Sequence, residues 1–334
     1  MSPVLAARLA ALRARGAAAL IALALAVLAL PACGAGGSSV ATPPASPAPA
    51  SSTSSPAATS TTPSALASPT AQPSGGAVTT AKLARQFPAP SGPLDLRITG
   101  SARWGGVPVR HLTYRSEGAV VTGTLSAPDG AGPFPAVLYA PGVGCSRDMF
   151  AADIAALQRQ GIAALVIDPP DGRDPYVRPI TTTPDVAAEA HVRYVTDLRR
   201  GLDVLRSLPA IDADRLGYVG YSWGGFVGGY LGGLRAPVRA YVLTYAGADW
   251  VGADPTAADG FAADPAAAVG AAPGGSYLFI AGVGDPLFSR ASVTRYARAA
   301  PGGRRIEWLP GGHGDYWAAP AASGMHRSWL LRRL

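Results

Sequence analysis

Arg215-Leu216-Gly217-Tyr218-Val219-Gly220-Tyr221-Ser222-Trp223-Gly224-Gly225 is the stretch that decides the fold. Its first half is a short apolar strand pattern. Its second half opens a glycine-rich helix pattern that runs through Gly224-Gly225-Phe226-Val227-Gly228-Gly229-Tyr230-Leu231. Between them stands G-x-S-x-G, with Ser222 at its centre. A serine on a sharp strand-to-helix turn has its hydroxyl pushed out at the end of a sheet. The flanking glycines suit a turn that strains the serine backbone and brings helix and strand too close for larger side chains. In a chain with 41 glycines the pentapeptide alone is only moderately specific, so its partners matter.

Outward from this stretch, strand and helix patterns alternate. Val107 to Arg115 and Ala119 to Ser126 read as a hairpin turned at Ser116-Glu117-Gly118. Phe134 to Ala140 and Ile162 to Ile167 are short apolar runs with turn residues behind them, the mark of buried strands. Val238 to Thr244, Ser276 to Ala281 and Arg305 to Leu309 are further strands. Helical spacing marks Asp148 to Gln160, Ala187 to Leu208, Arg290 to Ala299 and Ala318 to Leu331. The pattern predicts an α/β domain: a mostly parallel central sheet with an N-terminal antiparallel hairpin and helices on both faces. Gly247 to Gly275 is rich in Ala, Gly and Asp, and reads either as helix plus loop or as part of a small lid.

A serine hydroxyl is a poor nucleophile until a base takes its proton, and the base in turn needs an acid to orient it. Four histidines are available. His111 falls in the hairpin, and His191 and His326 fall in helices, which makes them structural or surface residues first. His313 stands in Pro310-Gly311-Gly312-His313-Gly314-Asp315, directly after the last strand, where a loop can reach a site at the sheet's edge. Asp285 follows the strand Ser276 to Ala281 and completes the chain order Ser…Asp…His. An Asp before Pro286 is also a common turn former. Asp249 is the second choice, and Asp315 is too near His313 in sequence. Two backbone N–H groups should face the negative charge that develops on a substrate oxygen. Trp223 supplies one; Val143 supplies the other, because Pro141 in the loop after Phe134 to Ala140 has no N–H. Cys145 is expected as a small buried residue, while Tyr221, Trp223, Trp250 and Trp317 are candidates either for core or for an apolar pocket wall.

These residues resemble the α/β-hydrolase superfamily, in its dienelactone hydrolase-like and prolyl-oligopeptidase-like branch. The resemblance is carried by Phe134-Pro135-Ala136-Val137-Leu138-Tyr139-Ala140-Pro141-Gly142, by Ile211 to Gly225 and by Leu278-Phe279-Ile280-Ala281-Gly282. It implies an α/β-hydrolase fold over roughly residues 105 to 334 and says little about substrate. Dienelactone hydrolases proper use a cysteine nucleophile where this chain has Ser222. Many members have His-Gly at the loop where this chain has Pro141-Gly142. The expectation is a serine hydrolase for carboxylic esters of small molecules, with no cofactor and no metal. A peptidase or amidase using the same three residues, or a binding module on the same fold, are the alternatives.

The chain has 334 residues, 48% of them hydrophobic and 15% charged, which is ample for a sizeable core. Its first part is not core material. Arg8, Arg13 and Arg15 precede the apolar run Gly16 to Leu30, which is shorter than the ~20 residues of a spanning helix. Leu30-Pro31-Ala32-Cys33 follows, so residues 1–32 read as a signal peptide. The box before Cys33 resembles that of bacterial lipoproteins, which implies lipidation at Cys33 and a location on the outer face of the cell membrane; an ordinary secreted protein is the alternative. Residues 33–92 read as a tether of Ala, Ser, Thr and Pro with too few large apolar side chains to offset its ordering entropy. The catalytic domain is expected over 93–334. A net charge of +7, about +4 without the three signal arginines, is too mild to argue for nucleic acid and no Arg/Lys block supports it, so no nucleic-acid partner is expected.

Overall fold

The structure is a computed structural model that describes residues 78–174, 184–249, 264–314 and 320–334. Cys33 and most of the expected tether lie outside the described residues, as do Trp250, Trp317 and Asp315.

The core is one nine-stranded sheet. In chain order its strands are β1 (Arg97–Trp104), β2 (Val107–Ser116), β3 (Ala119–Ser126), β4 (Phe134–Ala140), β5 (Ala163–Ile167), β6 (Ile211–Tyr221), β7 (Ala240–Thr244), β8 (Ser276–Gly282) and β9 (Gly303–Leu309). Across the sheet they run β1-β2-β3-β5-β4-β6-β7-β8-β9. β1, β2, β3 and β5 pair antiparallel, and every pair from β5 through β4 to β9 is parallel. Burial explains the sequence patterns. β5, β7 and all but the first residue of β4 and β8 are buried, as strands covered on both faces must be. β2 alternates, with Val107 and Val109 buried on one face and Leu112, Tyr114 and Ser116 on the other, because each face is covered over only part of its length. The β2–β3 turn carries positive φ at both Glu117 and Gly118, the two-residue geometry whose twist matches that of the strands.

The pleat sends alternate residues into two cores. Ala136, Leu138, Leu216, Tyr218, Leu243 and Phe279 face one side. There they meet α4 (Pro184–Ser207), α5 (Trp223–Gly233), α6 (Pro265–Gly270) and α7 (Arg290–Ala299). Val137, Tyr139, Val166, Val219, Val242 and Ile280 face the other side, under α2 (Ala151–Gln158) and α8 (Pro320–Leu331). The short α3 (Pro170–Arg173) follows β5.

Two segments depart from the sequence expectations. β1 has no apolar alternation because it is an edge strand exposed along most of its length. Composition assigns residues 78–92 to the tether, but Thr80–Gln86 form a helix, α1, capped by the Thr79 hydroxyl. Its Leu83 is fully buried against α5, where a Cβ on Gly233 would lie 2.6 Å from the leucine methyl. Phe87 packs against Tyr230 with ring centroids 4.8 Å apart, and Arg199 donates to the Phe87 and Pro88 carbonyls at 2.8 Å each. Two apolar side chains and an arginine suffice to dock a segment whose average composition is that of a linker.

Candidate active site

The connection from β4 leads to β5 on one side, and that from β6 leads to β7 on the other. β4 and β6 are therefore the adjacent strands at which chain direction across the sheet reverses. The crevice beyond their carboxyl ends is where open α/β sheets bind ligands. Ser222 leaves β6 at this point, and Pro141 to Gly144 leave β4.

Ser222 has φ 53° and ψ −113°, a left-handed conformation that costs a non-glycine residue about 1–3 kcal/mol. The surroundings impose it. Its N–H donates to the Thr244 carbonyl at 2.9 Å, and its own carbonyl accepts from Phe226 N–H at 2.8 Å. The glycines of the pentapeptide are required by contact rather than by habit: a Cβ on Gly224 would lie 2.0 Å from the Ala140 oxygen, and one on Gly220 2.4 Å from the Gly224 carbonyl.

The loops after β8 and β9 bring the partners. Gly284 N–H donates to the Gly311 carbonyl at 3.0 Å, and Val283 N–H to that of Leu309 at 2.9 Å, so the two loops are stitched together. His313 Nε2 lies 2.9 Å from Ser222 Oγ, and its Nδ1 lies 2.8 Å from Asp285 Oδ2. The second oxygen of Asp285 accepts the N–H groups of Leu287 and Phe288 at 2.8 and 3.1 Å. An ionised, acceptor-only carboxylate requires the proton on Nδ1, which leaves Nε2 free to accept from the serine hydroxyl. The side chain of Asp285 is fully buried and that of His313 only 3% exposed, so little water competes for these bonds. The rings of Tyr221, Tyr245 and Phe288 stand 5.6–5.8 Å from the imidazole, and the Tyr221 hydroxyl donates to the His313 carbonyl at 2.8 Å. Asp249, the other candidate acid, instead pairs with Arg295 at 2.9 Å and is half exposed.

Val143 and Trp223 lie at the mouth of the same crevice. Among the described residues, neither backbone N–H donates to a protein acceptor, while those of Ser222, Gly224, Gly144 and Cys145 are engaged. Gly224 N–H reaches the Pro141 carbonyl at 3.2 Å, Cys145 N–H that of Gly142 at 3.2 Å, and Gly144 N–H the Asp171 carboxylate at 2.7 Å. A Cβ on Gly142 would fall 2.9 Å from that of Ser222, which shows how closely this loop approaches the serine. Two free donors beside a serine held by His and Asp form a place where an oxyanion can be stabilised. Asp171 carries no sequence signal; it follows β5 and meets the loop only in the fold.

The other candidates fall elsewhere. His111 Nδ1 pairs with Thr124 Oγ1 across β2 and β3 at 2.9 Å, and His326 is buried against Asp153 at 3.6 Å. Cys145 is buried, and Tyr221 and Trp223 are core residues only 5% and 3% exposed. Among the described residues no group of three His, Cys, Asp or Glu side chains is placed to hold a metal ion.

The fold is that of the α/β-hydrolases. Acetyl xylan esterase 1 from a Thermoanaerobacterium species superposes with TM-score 0.59 over 75% of this chain and 92% of its own, at 15% identity. A cold-adapted esterase from an Arctic intertidal metagenomic library follows with TM-score 0.54, 18% identity, and 70% and 99% coverage. A protein described as a dienelactone hydrolase, from Klebsiella pneumoniae, gives TM-score 0.52, 15% identity, and 67% and 98% coverage. At such identities the likeness establishes the fold and no more. The model of a family described as FrsA-like esterases matches residues 98–246, just under half of the chain. No curated protein matches the sequence. The matched span contains Val143, Ser222 and Trp223 and stops short of Asp285 and His313, so those two rest on the α/β-hydrolase geometry itself.

Proposed function

We propose that this chain is a serine hydrolase that cleaves carboxylic esters of small molecules through an acyl-enzyme on Ser222. The observation that carries the reading is the unbroken line Ser222 Oγ–His313 Nε2–His313 Nδ1–Asp285 beside two free N–H donors. Ser222 Oγ adds to the acyl carbon as its proton passes to His313 Nε2. The carbonyl π electrons move onto oxygen, which lies against the Val143 and Trp223 N–H groups. Collapse breaks the bond to the alcohol oxygen, which leaves with the proton from His313. Water then enters by the same route, releases the acid and restores Ser222. The esterase description of the matched family model favours esters over amides.

The test is hydrolysis of short p-nitrophenyl esters beside aminoacyl-p-nitroanilides, with fluorophosphonate labelling. Ester turnover and labelling that both vanish in Ser222→Ala support the reading. Anilide turnover exceeding ester turnover would reassign the chain to peptidases, and an unlabelled native protein would reassign it to binding modules.

The same proposal places the enzyme on the outer face of the cell membrane, lipid-anchored at Cys33. The basic Arg8 to Arg15 segment, the apolar run and the box before Cys33 support it. Acyl chains contribute ~0.8 kcal/mol per buried CH₂, enough for firm anchoring when several are present. Labelled palmitate should enter the native chain and not Cys33→Ala, which should appear in the medium; a Cys33→Ala protein that stays with the membrane would overturn the anchor.

A further inference from the structure

The two N–H donors beside Ser222 belong to different elements, Val143 to the loop after β4 and Trp223 to the first turn of α5, yet they must point at one oxygen. We propose that His191 and Tyr194, one turn apart on α4, are the positioning residues that hold these two elements in register. The proposal rests on the serine hydrolase reading and adds to it a support on which the oxyanion site depends.

His191 is 4% exposed, and its ring lies among Trp223, Phe226 and Tyr230 at 5.1–6.3 Å. Its Nδ1 stands 2.9 Å from the Trp223 indole nitrogen. An indole N–H can only donate, so Nδ1 accepts and the imidazole proton sits on Nε2. Burial pushes His191 down to about 3, so the ring stays neutral and the bond persists wherever a serine–histidine pair works. This bond fixes the side chain of the residue whose backbone N–H is one of the two donors.

Tyr194 grips the other side. Its ring packs on Trp223 at 4.7 Å, and its hydroxyl donates to the Pro141 carbonyl at 2.9 Å. That carbonyl also takes the Gly224 N–H from the first turn of α5. Pro141 has no N–H, so its carbonyl is its one polar handle, and Tyr194 and Gly224 both use it. α4 thus touches the indole on one side of the oxyanion site and the loop on the other. A displacement of ~1 Å at such a site costs up to ~100-fold in rate. Loosening one of two grips should cost less.

The experiment measures kcat and KM on p-nitrophenyl acetate for the full chain and for His191→Leu, His191→Asn, Tyr194→Phe and Ser222→Ala. It also measures inhibition by a simple alkyl boronic acid, whose tetrahedral adduct occupies the oxyanion site. His191→Leu and Tyr194→Phe should lower kcat ~10-fold with KM within about twofold, and the boronate Ki should rise by the factor that kcat/KM falls. His191→Asn, whose side-chain oxygen can stand at the Nδ1 position, should recover most of kcat. A folded His191→Leu with wild-type kcat would overturn the proposal, as would losses that His191→Asn does not restore. Should His191→Leu not fold, Tyr194→Phe decides alone: it loses one hydroxyl, and wild-type kcat there overturns the grip. A wild-type chain without Ser222-dependent turnover overturns the function itself, and with it this proposal.

Discussion

Replacing Asp285 by Asn tests the histidine's orientation with least damage to the fold. Asp285 makes three hydrogen bonds, two from the backbone N–H groups of Leu287 and Phe288 to Oδ1 and one from His313 to Oδ2. An Asn oxygen can keep the first two, so the turn before α7 survives. The amide nitrogen must then face His313 Nδ1 with its own hydrogens. Two donors at 2.8 Å repel unless the imidazole moves its proton to Nε2. That tautomer points a proton at Ser222 and cannot take one. The expected loss in kcat is ~10⁴-fold, the size seen for the same substitution in another serine hydrolase triad, or ~5.4 kcal/mol of barrier. Stability should fall by no more than ~1–2 kcal/mol, whereas Asp285→Ala orphans two buried N–H groups at about 1–3 kcal/mol each. The assay pairs p-nitrophenyl acetate turnover with urea unfolding of both variants and of Asp249→Asn. Asp249→Asn should keep wild-type kcat, since its carboxylate serves Arg295. An Asp285→Asn enzyme within tenfold of wild type would refute the argument, and a 10⁴-fold loss in Asp249→Asn would replace it with another acid.

Other perturbations probe the frame around the site. Gly224→Ala puts a methyl group 2.0 Å from the Ala140 oxygen, where only backbone can yield, so it should cost at least ~3 kcal/mol in thermal unfolding or prevent folding. Leu83→Ala should cost ~2–5 kcal/mol in urea unfolding, a loss that a tether residue would not show. Acid should destabilise the domain through its buried histidines. His191 is pushed from 6.5 to about 3, and His326 is also lowered, both by burial first. The unfolded chain then binds protons that the folded one refuses. The stability that His191 contributes is therefore full above about pH 6.5 and falls as pH drops towards 3, by ~1.4 kcal/mol per unit, and His326 acts in the same direction. Unfolding midpoints at pH 7 and 5 should show the fall, and His191→Asn, which cannot titrate, should reduce it and leave the part due to His326.

What was legible in the sequence follows from where each signal is stored. Ser222 was legible because a strained turn needs glycines on either side, and those glycines are neighbours in the chain. Asp285 and His313 were legible because parallel strands end at one edge of the sheet, so a residue's place after its strand predicts its place in space. The buried strands showed as apolar runs for the same local reason. β1 left no trace, since an exposed edge strand is held by backbone bonds to β2 that any side chain permits. α1 was hidden because Leu83 and Phe87 are the large apolar side chains that dock it, within a stretch that averages to linker. The contacts that hold Trp223 and the loop after β4 were hidden for a further reason. The pairs Trp223 with His191, Pro141 with Tyr194, and Gly144 with Asp171 each join separate elements. No spacing rule relates such positions, and each residue type has an ordinary role in a helix or turn. The residues proposed to perform the chemistry are thus announced by local geometry, while those proposed to aim it are found only once the strands are in order. This is why a helical histidine read as structural in the chain becomes, in the fold, a handle on Trp223, the residue beside Ser222.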